Sequence, residues 1–425
     1  MSRVPLPVSL LPDSAQVSDD DTVIGGVSLA ELAREFGTPL FVYDEQTLRS
    51  RCRDAASAFD HGVAFASKSF LCAAMARLAV EEGLCIDVST GGELDLVVRA
   101  GVPGSRIVLH GNNKSVDELA RAHAVGVRHV VVDNFDEIER LRSVVKPGDQ
   151  LACLGRVTPG VEAHTHEFVQ TGHEDTKFGF SIASGDARRA IDELRSVDGV
   201  VVDGVHAHIG SQIFDLDGFR AALGIVWHFI RDDDFRELCI GGGLGVAYVE
   251  GESALSIADW GAQLREWAAE LGVPSSVALT AEPGRSIVAS AGVTLYTVGA
   301  VKSLAMRTYM AVDGGMSDNP RPVLYGSGYE VFDVRRPTAE RPQNVRLVGK
   351  HCESGDVLVD EAWLPAETGV GDVVATPVTG AYGYSMASNY NRVPRPAVVF
   401  VSEGRARVVV RRETFDDLVR LDTEL

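Results

Sequence analysis

A handful of short stretches in this 425-residue chain carry side chains that could do chemistry together. Lys68 follows an apolar run in FASKSF, and a primary amine can attack a carbonyl to form a Schiff base. His206 and His208 stand two apart in VHAHIGSQIF, so on a strand they share a face. Gly241, Gly242, Gly243 and Gly245 lie in IGGGLGVAY, where backbone N–H groups can approach an anion closely. Glu282, Pro283, Gly284 and Arg285 make the sharp turn AEPGR, and Cys352 sits among charged neighbours in KHCESGD.

Each stretch also has a plain explanation. A lone lysine leaving a strand more often snorkels at a rim than forms an adduct. The pair His206 and His208 is also an H-x-H metal pattern, but such a site needs further ligands from other strands. The second histidine cluster, His164 and His166, lies in a loop and no complete ligand set is evident, so no metal is expected. Packed or surface histidines are the simpler reading, and more so for His206 than for His208. The glycines could form a tight turn only, and Glu282 with Arg285 a surface ion pair.

The elements between these stretches decide whether they meet. From Val63 to Arg285, short β-branched runs alternate with helical patterns. The strand-like runs cover 63–67, 85–89, 107–111, 129–133, 151–157, 201–209, 237–241 and 278–282, and amphipathic stretches such as 71–83, 116–126, 186–197 and 257–272 lie between them. Continuous apolar strands alternating with helices imply a parallel sheet, and eight units in succession fit a closed (β/α)8 barrel of the TIM type. In such a barrel the chemistry collects at the C-terminal strand ends, where Lys68, His208, the glycines and Glu282 fall. The connection 161–180 is long for a strand-to-helix loop, and long connections are more often functional than structural.

After about Ala291 strands follow one another with Gly, Pro and Asp turns, which reads as a C-terminal antiparallel β domain. The segment ending in PLFVYD precedes the barrel and adds a strand to that domain. The expected division is a barrel over 45–290 and a β-rich domain over 1–44 and 291–425.

Composition narrows the rest. A formal charge of −20 disfavours nucleic acid and anionic lipid as partners. No apolar run approaches the ~18 residues of a spanning helix, and the N-terminus lacks the pattern of a signal peptide, so a cytoplasmic protein is expected. The six cysteines are scattered with no C-x-x-C pair, which fits free thiols rather than a disulfide frame.

A lysine, an imidazole, an anion nest and a carboxylate around one rim are what pyridoxal phosphate asks for: an amine for its aldehyde, donors for its phosphate, and an anion for its ring nitrogen. The chain resembles the fold-type III pyridoxal-phosphate decarboxylases, and within them the diaminopimelate decarboxylases. The motifs are FASKSF (65–70), STGGEL (89–94), GVEAHTHEFVQTGHEDTKFG (160–179), HIGSQI (208–213), GGGLG (241–245), EPGRSIV (282–288), DGGMSDNPRPVLYG (313–326), CESGDVL (352–358) and GAYGYSMASNYN (380–391), in family order.

The resemblance implies decarboxylation of meso-2,6-diaminopimelate to L-lysine and carbon dioxide, the last step of lysine biosynthesis. It implies that Lys68 binds the cofactor covalently and that His208 stacks on its ring. Ser211 with Gly241, Gly242 and Gly243 would hold the phosphate, and Tyr382 would reach toward it. Glu282 would pair with the ring nitrogen, in a turn whose Pro283, Gly284 and Arg285 also line the cofactor. Arg285, Arg321, Tyr325, Glu353 and Tyr382 would bind substrate, and Cys352 would be the proton donor. The family forms homodimers in which the CES segment crosses to the partner's barrel.

One departure is the Ser69-Phe70 pair, where the family often has Ala-Asn after the lysine. Related ornithine and arginine decarboxylases carry Asp after the cysteine, where this chain has Glu353. Those activities, a non-catalytic relative and a metal-dependent barrel hydrolase are the competing readings.

Overall fold

The computed structural model describes residues 8–161 and 176–424. His164 and His166 lie outside the described residues. The chain divides into two compact units, one of Arg51–Gly245 with Ala254–Ser286, the other of the described parts of Met1–Ser50, Val246–Ser253 and Ile287–Leu425.

The first unit is a barrel of eight parallel strands: Ala64–Ala66, Cys85–Val88, Ile107–Leu109, His129–Val132, Leu151–Thr158, Val200–His206, Glu237–Cys239 and Ala278–Thr280. Each pairs with its neighbours in chain order. Backbone bonds from Ala64 N to the Ala281 carbonyl (3.0 Å) and from Ala66 N to the Pro283 carbonyl (3.1 Å) close the ring between first and last strands. Ala64, Cys85, Val108, Val131, Leu154 and Cys239, from six different strands, form one buried cluster. A barrel interior has little room, and small or branched side chains fill it in layers. All the cysteines are free, and every one but Cys352 is buried, in keeping with thiols used as small core residues.

The helices start where the loops supply caps. Thr90 accepts from the Glu93 N–H, so STGGEL is the start of the helix Gly91–Arg99. Ser115 and Glu118 make a reciprocal capping box for Val116–Val125, and Asn134 and Ser256 cap Phe135–Val144 and Ile257–Glu270. Each cap accepts a backbone N–H that the first turn leaves without a partner. Among the described residues no helix is long and apolar enough to cross a membrane.

The sixth strand ends at His206 rather than at Ile209. Beyond it the chain turns aside, and Ile213 bridges Leu244 next to the glycine turn. His208 therefore stands in the loop past the strand end.

The second unit holds a nine-stranded sheet and a small antiparallel sheet of Gln16–Val17, Thr22–Ile24 and Val27–Ser28. The N-terminal strand Leu40–Asp44 lies in the large sheet between Gly292–Ser303 and Ala397–Ser402. The sheet is mixed rather than wholly antiparallel. Leu40–Asp44 runs parallel to Ala397–Ser402, and Thr308–Val312 runs parallel to Gln343–Val348. Strand pattern reports which face is buried but not direction, so the two parallel pairs leave no mark in the sequence.

Candidate active site

At the C-terminal end of the barrel, Lys68 occupies the single turn Ser67–Ser69 after the first strand. Ser67, Ser69 and Phe70 are buried, and the Ser69 hydroxyl donates to the Ala66 carbonyl at 2.8 Å. The Ser69-Phe70 departure is thus a packing feature that pins the turn, while the Lys68 side chain stays exposed.

His208 is half-buried, and its Nδ1 accepts the Gly242 backbone N–H at 3.1 Å. Burial, then the Lys68 charge, holds its pKa well below the ordinary histidine value, so the ring is a neutral imidazole with its proton on Nε2. The glycines are needed for this closeness. A Cβ on Gly242 would lie 2.3 Å from the Glu282 carbonyl oxygen, and one on Gly243, at φ 119°, would lie 2.4 Å from the Gly210 carbonyl oxygen.

Glu282 is buried at the end of the eighth strand. One carboxylate oxygen is 2.7 Å from His110 Nε2 and the other 2.9 Å from His206 Nε2. Burial pushes the carboxyl up, but the two imidazoles outweigh it and hold Glu282 well below the usual range, hence ionised. Asp87 Oδ1 lies 3.8 Å from His110 Nε2, and Arg156 reaches Asp133 at 3.3 Å. Ligand-type atoms of His110, His206 and Glu282 lie within 4.8 Å of one another, but their contact distances are those of hydrogen bonds. Arg285 is buried, and its Nη2 donates to Ser211 Oγ at 2.9 Å.

The barrel unit thus gathers Lys68, His208, Ser211, Gly241, Gly242, Gly243, Glu282, Pro283, Gly284 and Arg285. In the sequence His206 reads as a packed or surface histidine, and His110, Asp87 and Arg156 are not singled out. The signal of these four residues is modest: each is a polar residue within, ending or just after an apolar barrel strand, in CIDV, IVLH, VVDGVH and LACLGR.

The other candidates belong to the β-rich unit. Cys352 and Glu353 are exposed on a short loop held shut by Asp356. That carboxylate accepts from Met316 N (2.6 Å), His351 N (2.8 Å) and His351 Nδ1 (2.8 Å). The Cys352 N–H donates to Asn391 Oδ1 at 3.0 Å. Arg321 begins the helix Arg321–Tyr325; it is buried, donates to the Tyr329 hydroxyl, and lies 4.2 Å over the Tyr248 ring. Tyr325 is half-buried, as is Tyr382, whose φ of 62° is in the left-handed region. Val378, at φ 58°, shares that strain, and such strain gathers where structure fixes a functional loop.

Residues 45–289 match the model of the pyridoxal-dependent decarboxylases, pyridoxal binding domain. The barrel agrees with that match, and the chain belongs to this family. Diaminopimelate decarboxylase of Mycobacterium tuberculosis (strain H37Rv) is 48% identical over 421 residues, covering 94% of each chain. That of Bacillus subtilis (strain 168) is 46% identical over 422 residues, again 94% of each. The crystal structure of diaminopimelate decarboxylase from M. jannaschii in co-complex with L-lysine superposes with a TM-score of 0.90 at 31% identity, covering 97% of this chain and 98% of that one. Within the family the chain groups with the diaminopimelate decarboxylases.

Proposed function

We propose that this chain catalyses the pyridoxal-phosphate-dependent decarboxylation of meso-2,6-diaminopimelate to L-lysine and carbon dioxide, the last step of lysine biosynthesis. The observation that carries it is an ionised, buried Glu282 just past the eighth strand, in the segment Ala281–Pro283 that closes the barrel against the first strand and the Lys68 turn. The substrate reading draws on the curated relatives, 44–48% identical over nearly the whole chain.

The residues fit the cofactor. Lys68 is an accessible amine. His208 offers a neutral ring face, and the turn at Gly242 and Gly243 has backbone where no side chain could stand. Glu282 is an anion for a ring nitrogen. When bound, pyridoxal phosphate supplies an electron sink for the carbanion that departing carbon dioxide leaves behind. Lys68 then anchors the aldehyde, and Ser211 with Gly241, Gly242 and Gly243 takes the phosphate, joined by Tyr382. Pro283, Gly284 and Arg285 hold the turn that presents Glu282.

Arg285, Arg321, Tyr325, Glu353 and Tyr382 bind the substrate. A guanidinium grips a carboxylate with two parallel N–H donors, and diaminopimelate carries a second carboxylate that ornithine and arginine lack. Arg321 and Glu353 supply the cation and the anion for that distal amino-acid end. Cys352 delivers the proton that replaces the lost carboxylate. The barrel of 45–290 is the cofactor domain, and 1–44 with 291–425 supplies substrate contacts and the dimer interface. The working form is a cytoplasmic homodimer, Cys352 and Glu353 of each copy serving the barrel of the other.

Carbon dioxide release by purified protein, offered meso-diaminopimelate, ornithine, arginine and lysine side by side, tests this. Release from diaminopimelate alone is expected. Comparable release from ornithine or arginine overturns the substrate assignment.

A further inference from the structure

Glu282 reaches its place with both oxygens already engaged. Its partners come from the ends of the third and sixth strands, so residues far apart in the chain converge on one carboxylate from two sides. An ionised carboxylate can only accept, so each imidazole must present an Nε2–H. The two rings also meet edge to face, with centroids 4.9 Å apart and planes at 70°. His206 is 1% exposed, and its Nδ1 is buried with no hydrogen-bond partner among the described residues. A bare, buried Nδ1 is what a neutral ring with its single proton on Nε2 leaves behind. His110 has Asp87 within 3.8 Å as well as Glu282, two anions beside one imidazole.

A carboxyl buried in a barrel mouth would ordinarily take up a proton. A neutral acid there could not keep a proton on a facing ring nitrogen. Resting on the reading of Glu282 given above, we propose that His110 and His206 are positioning residues, a two-sided brace that keeps Glu282 ionised and fixes the plane of its carboxylate. The geometry leaves room for this. Each oxygen has two acceptor directions and spends one on an imidazole, so another remains for the ring nitrogen. The partners differ in charge. Burial lowers His206 to about 4, so it is a neutral donor, whereas the carboxylates of Asp87 and Glu282 outweigh burial at His110 and raise it. One side of the brace is thus a hydrogen bond, and the other adds cationic character.

The test uses holoenzyme carrying His110→Phe or His206→Phe, which keep an aromatic ring without the donor, and His110→Gln or His206→Gln, which restore an N–H. Each Phe variant is expected to lose about tenfold in kcat with KM for diaminopimelate nearly unchanged, and each Gln variant to recover most of it. The absorbance of the bound cofactor should titrate between about pH 6 and 9 in the Phe variants and stay flat in wild type and the Gln variants. In a Glu282→Gln background, the Phe substitutions should add little further loss, because they act through Glu282. Should a Phe variant fail to fold, His→Asn, too short to reach Glu282, takes its place. Full turnover with a flat titration in the Phe or Asn variants overturns the brace, as do losses that simply add to that of Glu282→Gln. If Glu282→Gln itself keeps full turnover, the ring-nitrogen reading falls and the brace falls with it, an outcome distinct from the other two.

Discussion

Gly242 donates its backbone N–H to Nδ1 of His208 at 3.1 Å, tying the glycine turn after the seventh strand to the imidazole after the sixth. The bond fixes the tautomer of His208, and it exists because residue 242 has no side chain: a Cβ there would meet the Glu282 carbonyl oxygen at 2.3 Å.

Gly242→Ala should therefore disturb His208 and Glu282 together. The added methyl would run into the backbone of Glu282 and Pro283, which cannot swing aside as a side chain can, a cost of roughly 1–3 kcal/mol. The expected result is a folded protein whose affinity for pyridoxal phosphate, followed by fluorescence quenching, falls by about tenfold or more. Wild-type affinity would mean that the turn has no part in holding the cofactor.

Arg321→Met tests substrate recognition. Arg321 is buried against Tyr248 and Tyr329, so a methionine of similar length keeps much of the packing and removes the charge. Turnover of diaminopimelate should drop by about a hundredfold or more while cofactor absorbance and the melting temperature stay close to wild type. An unchanged KM and kcat would move recognition of the distal carboxylate elsewhere.

The buried histidine makes stability depend on pH in a definite direction. His206 titrates near 4 in the folded chain, against about 6.5 when unfolded. Between those values the unfolded chain binds a proton that the folded one does not, so acidification favours unfolding. Its contribution should be absent above pH 7.5 and reach roughly 2 kcal/mol of lost stability by pH 5. His110 and Glu282 titrate too, so the comparison is with His206→Gln: its melting temperature should fall less steeply than wild type's between pH 7.5 and 5. Parallel slopes would mean that His206 is not held neutral.

Much of this site is legible in the chain before any folding. Barrel strands buried on both faces read as continuous β-branched runs, so Lys68, the glycine turn and Glu282 could be assigned to strand ends. His110 could not. A histidine after Ile107–Leu109 is unremarkable until closure of the barrel brings it to Glu282, 172 residues away. His206 was discounted for a related reason: a buried histidine and a bracing one look alike until the partner is in place. The stretch Val246–Ser253 groups with the β-rich unit because Tyr248 packs on Tyr329 there, a contact that no local pattern foretells.

The shared-site dimer predicts rescue. Lys68→Ala and Cys352→Ala should each be nearly inactive alone. Mixed equally and allowed to exchange subunits, about half the dimers are mixed, and each has one intact site of two, so activity should return to about a quarter of wild type. No return after demonstrated exchange would mean that Cys352 serves its own barrel or is not the proton donor.

The most direct measurement is borohydride reduction of the holoenzyme followed by peptide mapping. A pyridoxyl adduct on the peptide containing Lys68, and on no other lysine, is the predicted result. An adduct on Lys177 or Lys350, or a protein that retains no cofactor after reduction, would contradict it.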